Sequence, residues 1–130
     1  MIYYVKTYQG TDADMVKKKV YGCSVEVTIG VIGGKWKSVL LYHLIKDRVI
    51  RFGELRRLLP NVTAQMLTSQ LRELEADGVV HRKVYAQVPP KVEYSLTPFG
   101  DSLAPIIRAM ASWGESYATD AGKRISLVRE

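Results

Sequence analysis

Residues 52–74 read FGELRRLLPNVTAQMLTSQLREL, and the parsing of this stretch decides the fold. Proline lacks a backbone N–H and its ring crowds the preceding turn, so a first helix over Phe52 to Leu59 must stop at Pro60. Phe52, Leu55, Leu58 and Leu59 give that helix an inward side. Asn61-Val62 makes a turn, and Thr63 stands where a hydroxyl can cap a second helix. Met66 occupies the position at which a capping box needs Glu or Gln, so only half of that device is present. Ala64, Leu67, Leu71 and Leu74 line the buried face of the second helix. Its other face carries Gln65, Thr68, Ser69 and Arg72, all hydrogen-bonding groups, with no acid before Glu73. Gly78 suits the left-handed residue just past a helix end.

Working upstream, Trp36, Val39, Leu40 and Leu44 form a core-facing stripe on a helix over Lys35 to Lys46, and Val49-Ile50-Arg51 is a short extended piece. Gly33-Gly34 breaks whatever precedes it. Residues 24–32, SVEVTIGVI, have two readings. Val25, Val27, Ile29 and Val31 alternate as in a strand, whereas Val25, Ile29 and Ile32 share a helical face. β-Branching argues weakly against the helix.

Downstream, VVHRKVY and KVEYSLT read as two strands joined by residues 86–90. Pro89-Pro90 donates no ladder hydrogen bonds and belongs at the hairpin tip or an edge. Thr97-Pro98 is a hydroxyl cap followed by a first-turn proline. The last helix sets Leu103, Ile106, Ile107, Met110, Trp113 and Tyr117 on one side, with a kink expected at Pro105.

The order is helix, short strand, helix, tight turn, helix, two-stranded hairpin, helix. That is a winged helix-turn-helix: a mainly α protein with a small β-hairpin wing, α+β in class. The division expected is an N-terminal arm over 1–22, a winged helix-turn-helix domain with its C-terminal dimerisation helix over 23–120, and a polar tail over 121–130. The arm's Tyr3, Tyr4, Tyr8 and Tyr21 are too apolar for a free tail, so it packs on something.

Composition bounds the function. The 130 residues suit one domain, with 47% hydrophobic and 25% charged residues, a globular mixture rather than a disordered one. No apolar run reaches the ~18 residues of a membrane span, and the N-terminus has no secretory pattern. A single cysteine, Cys23, excludes an internal disulfide, so a reducing cytoplasm is expected. His43 and His81 have no spacing that converges with Cys23, so neither a metal nor another cofactor is expected. A phosphate loop and a nucleophile elbow are both missing from the sequence, which argues against an enzyme.

The net charge is +6, and the excess is concentrated: residues 35–60 hold seven basic side chains against two acidic ones. A basic cluster beside a polar helix points to a polyanion, against the alternative of a solvated face kept for solubility. In a helix-turn-helix the second helix enters the major groove of double-stranded DNA. Gln65, Thr68, Ser69 and Arg72 can donate to and accept from base edges there. Lys35 and Lys37 at a helix start, Arg51 and Arg56 around the first helix of the pair, and Lys83 and Lys91 on the wing are the phosphate ligands expected. Arg82 shares strand parity with Val80 and Val84 and is the weaker candidate.

The apolar stripe of the last helix exceeds what a compact wing domain can cover, which points to a homodimer through Ile106, Met110, Trp113 and Tyr117, with Tyr3 and Tyr4 of the arm adding to it. Such a pair sets two reading helices about 34 Å apart, matching a palindromic operator. Cys23 stands before a helix start and near three lysines, features that favour a reactive thiolate; a small capping or packing role is the other reading.

The strings CSVEVTIGVIGGKW, FGELRRLLP, LTSQLRELEADGVVHRKVY and VPPKVEYSLTPFG, followed by Trp113-Gly114, resemble the HxlR family of winged helix-turn-helix transcription regulators. The match covers about residues 22–118. It implies a homodimeric DNA-binding regulator, a helix rather than a strand over 24–32, and, as in some members, sensing of a small electrophile or oxidant through the cysteine at this position. The long N-terminal arm departs from the family's short lead. The competing class is a winged helix that binds protein without DNA; such modules usually lack the basic cluster and hydrogen-bonding helix present here.

Overall fold

The computed structural model describes residues 3–6, 18–120 and 125–127, with side chains from Val20 onward. Two strands come first, β1 (Tyr3–Lys6) and β2 (Lys18–Tyr21), paired antiparallel with Tyr3 opposite Tyr21. The arm is therefore a hairpin in part. The side chains of Tyr3 and Tyr4 and all of Tyr8 and Lys17 lie outside the described residues. The helix α1 (Ser24–Ile32) follows, so the strand-like alternation of this segment is overridden. Its start is fastened by Glu26, whose carboxylate accepts from the Gly22 N–H at 2.5 Å. Tyr21 packs over Gly30, where an added Cβ would sit 2.6 Å from the tyrosine hydroxyl. The hairpin is thus docked on α1.

Next come α2 (Lys37–Asp47), β3 (Val49–Arg51), α3 (Phe52–Leu58) and α4 (Ala64–Ala76). Between α3 and α4, the Val62 N–H donates to the Leu59 carbonyl and closes the turn around Pro60. The Thr63 hydroxyl accepts from the Met66 N–H at 3.1 Å, the cap that the sequence leads one to expect. At the other end, Gly78 has φ +76, and the N–H groups of Gly78 and Val79 donate to the carbonyls of Glu75 and Leu74. That pair of bonds is a Schellman closure, which stops α4 cleanly and turns the chain into the wing.

The wing is β4 (Val80–Tyr85) and β5 (Lys91–Leu96). β3 joins it across the other edge of β5, giving an antiparallel sheet in the order β3-β5-β4 with Ile50 opposite Tyr94 and Arg82 opposite Tyr94. The expected single kinked terminal helix is instead two, α5 (Pro98–Asp101) and α6 (Ala104–Asp120). Pro105 falls in the first turn of α6, where no N–H is needed, so it starts a helix rather than bending one. The Thr97 hydroxyl accepts from the Gly100 N–H (2.8 Å) and donates to the Gly78 carbonyl (2.6 Å), tying α5 to the end of α4.

One apolar core holds these pieces. Leu40, Leu41 and Leu44 of α2, Leu55 of α3, Leu67, Leu71 and Leu74 of α4, Ile50, Val79, Val80 and Tyr94 of the sheet, and Ile107 of α6 are all buried. Each such leucine contributes about 2 kcal/mol by leaving water. The buried triplet on α4 fixes its roll about its own axis, and hence which residues face outward.

Candidate nucleic-acid interface

With Leu67, Leu71 and Leu74 turned inward, α4 must present the complementary face. Gln65, Ser69 and Arg72 are exposed and Thr68 is half-buried. All four line one open depression of about 580 Å³, together with Ala64, Glu73 and Ala76. Every lining residue belongs to α4, so among the described residues no other element walls it off. The four expected base-reading side chains are brought together on a surface that a duplex can reach.

Arg72 is not held by the acids nearest to it in sequence. Glu73 is engaged by Lys37 (2.9 Å) and Glu75 by Arg82 (3.5 Å). The pairing of Arg82 with Glu75 fits its weaker standing as a phosphate ligand, although it is exposed rather than half-buried.

Lys37 is a correction. It was expected to meet phosphate at a helix start, yet its side chain is only 9% exposed and its ammonium is spent on Glu73. The reason is helical spacing: Lys37 precedes Leu40, Leu41 and Leu44 by three, four and seven positions, which puts it on the buried stripe of α2. Lys35, just ahead of α2, is exposed, with its Nζ 4.9 Å from the Trp36 ring. Arg51 on β3 and Arg56 on α3 are exposed as well.

Strand alternation and register settle the wing. Arg51 faces Glu93, Lys83 faces Glu93, and Tyr85 faces Lys91, so these five side chains share the face of the sheet opposite to the buried Ile50 and Tyr94. Tyr85 organises them. Its ring lies 4.8 Å from Lys83 Nζ and 4.5 Å from Lys91 Nζ, and its hydroxyl donates to Glu93 at 2.8 Å. Lys91 also pairs with Glu93 at 3.3 Å and is only 22% exposed at its side chain, whereas Lys83 is exposed. The Tyr85 hydroxyl bond, aided by Lys91 and Arg51, holds the Glu93 carboxyl below its ordinary value. Burial pushes the Tyr94 phenol up. The clustering of Tyr85 and Glu93 with the wing lysines was missed in the sequence, because it depends on a register that the 86–90 loop alone does not reveal.

Cys23 is the N-terminal cap position of α1, extended and exposed, and its side chain makes no capping bond. It is therefore neither packed nor capping through its thiol. On α6, Ile106, Met110, Trp113 and Tyr117 are all exposed, by 41 to 68%, and the Trp113 and Tyr117 rings stack at 5.2 Å. Among the described residues no helix is long and apolar enough to cross a membrane, and no group of His, Cys, Asp or Glu is arranged to hold a metal.

Residues 31–121 match the HxlR-like helix-turn-helix family. An HTH-type transcriptional regulator of Bacillus subtilis, YybR, is 62% identical over 104 residues, which are 77% of this chain and 82% of that one. The solved structure of the redox regulator HypR in its oxidized form is 65% identical with a TM-score of 0.69, over 72% of this chain and 96% of that one. The diamide-treated YodB from B. subtilis is 30% identical with a TM-score of 0.59, over 72% and 92%. Such relatives are transcriptional regulators and not enzymes. This chain is a regulator of the same helix-turn-helix type and belongs to the HxlR-like helix-turn-helix family.

Proposed function

We propose that the chain acts as a homodimer that binds a palindromic DNA operator, with α4 in the major groove and the β4–β5 wing on the flanking backbone or minor groove. The observation that carries this reading is the open face of α4 with Gln65, Thr68, Ser69 and Arg72 side by side. Glutamine matches adenine bidentately, arginine matches guanine, and hydroxyls serve either. Lys35, Arg51, Arg56, Lys83 and Lys91 are the phosphate ligands, three of them on one face of the sheet. Lys91 is the weakest of these, since it is already paired.

The α6 seam supports the dimer. Ile106, Met110, Trp113 and Tyr117 follow one another by four, three and four residues, the spacing of an a/d coiled-coil seam, and all four stay exposed where Ala104, Ile107 and Ala118 of the same helix are buried. Tyr3 and Tyr4 of the arm are assigned to the same interface. The test is a fluorescence-anisotropy titration against duplexes from the region upstream of the chain's own gene, and against a scrambled duplex, over a salt series. Tight preference for one upstream duplex is expected, with a log–log salt slope of about −4 to −5 per subunit. Equal weak binding to every duplex, with a shallow slope, leaves the protein-binding winged helix as the better reading.

A redox input is the second part of the proposal. It rests on the exposed Cys23 and on the likeness to the redox regulator HypR, solved in oxidized and reduced forms, and to YodB, solved in diamide-treated and reduced forms. With one cysteine per chain, oxidation joins two Cys23 thiols of different subunits, or Cys23 and a small thiol. Two S–H bonds are lost, one S–S bond forms, and two electrons and two protons pass to the oxidant, of which diamide is an example. Diamide should change operator affinity in the native protein and not in Cys23→Ser; unchanged affinity in both removes the redox input.

A further inference from the structure

Among the described residues Lys37 alone is both charged and buried, and its partner lies on the reading helix. Lys37 Nζ is 2.9 Å from Glu73 Oε1, which leaves Oε2 to accept from Gln70 Nε2 at 3.3 Å and, as a longer contact, from Ser69 Oγ at 3.5 Å. Glu73 lines the same open depression as Gln65, Thr68, Ser69 and Arg72. It is therefore an acid on the surface that must approach a polyanion. Left alone, its charge would oppose every phosphate nearby; neutralised by a desolvated ammonium, it becomes an anchor for its neighbours. Gln70 Oε1 lies 4.0 Å from the position of a Cβ on Gly34, so the same group of side chains reaches from α4 back to the turn before α2.

We propose that Lys37 is a positioning residue for base reading: through Glu73 it neutralises the DNA-facing side of α4 and fixes Ser69 and Gln70 on it. Lys37 itself touches no DNA. The inference rests on the proposed DNA reading and adds a specificity determinant outside the helix that reads. It separates the two members of a Lys35/Lys37 pair that look alike in the sequence, one left to phosphate and the other consumed inside the protein.

The experiment uses the full chain, with the preferred upstream duplex and a scrambled duplex titrated by anisotropy over a salt series. The proteins are the native chain, Lys37→Met, Glu73→Gln and the double variant; circular dichroism verifies that each is folded. Lys37→Met should lose operator affinity by roughly tenfold or more, with a smaller loss on the scrambled duplex and no change in salt slope. The double variant should recover most of that loss, because the unpaired carboxylate is then gone. If Lys37 instead met a phosphate, its loss would lower the slope magnitude by about 0.9 and Glu73→Gln would rescue nothing. Either of those results overturns the proposal, as does an equal loss on both duplexes. A native chain with no preference among duplexes overturns the underlying DNA reading instead, before any substitution is compared.

Discussion

Two residues show how much a single position constrains. Gly100 is buried, and a Cβ there would sit 2.1 Å from the Val79 carbonyl oxygen. That carbonyl cannot move aside cheaply, since it accepts from the Thr97 N–H at 3.0 Å. Gly100→Ala is therefore expected to destabilise the fold by about 1–3 kcal/mol, read as a lowered midpoint in denaturant; an unchanged midpoint would mean that the α4–α5 junction is loose. Lys37 teaches the complementary lesson about legibility. Its spacing to Leu40, Leu41 and Leu44 was in the sequence and marks a lysine on a buried stripe, which demands a carboxylate partner. The identity of that partner was not legible, because Glu73 is 36 residues away and meets Lys37 only through the packing of α4 on α2. Gln65, Thr68, Ser69 and Arg72, by contrast, were readable directly, since the buried leucines of their own helix fix where they point.

At the scale of elements, the helix-turn-helix was legible because its punctuation is local: Pro60, the Thr63 cap and Gly78 act within a few residues of where they stand. The helix α1 was legible only through the family resemblance, because alternation and helical spacing coexist in SVEVTIGVI. In the structure its partners come from just before the segment, in the bond from the Gly22 N–H to Glu26 and the Tyr21 ring on Gly30. The wing makes a prediction about pH. The Glu93 carboxyl is held below its ordinary value of 4.5, chiefly by the Tyr85 hydroxyl. Its bonds therefore stabilise the hairpin above the unfolded value and are lost as pH falls through the lower folded value. Amide protection along β4 and β5 should drop on acidification below about pH 4.5 before the α2 and α4 amides follow. In Tyr85→Phe the wing amides should be less protected at neutral pH and less sensitive to acid. Wing protection that follows the helices at every pH would show that this cluster is not what holds the hairpin.

For the whole molecule, the claim is that two chains join along α6 and thereby set two α4 helices on one duplex. Met110 and Trp113 are exposed and make no part of the buried core, so charging them should spare the monomer fold. Light scattering of Met110→Glu/Trp113→Glu should give the monomer mass, with operator affinity reduced by roughly a hundredfold or more, since a single half-site loses the advantage of the joined pair. A native mass in that variant would place the interface elsewhere. The central claim is narrower: side chains on α4 read bases. Its most direct measurement is the ratio of operator to scrambled-duplex affinity in Gln65→Ala/Arg72→Ala, at fixed salt, against the native chain. Each bidentate contact is worth about 1–3 kcal/mol of discrimination, so the ratio should collapse by roughly a hundredfold while weak binding to scrambled DNA persists. An undiminished ratio, or equal loss on both duplexes, would contradict it.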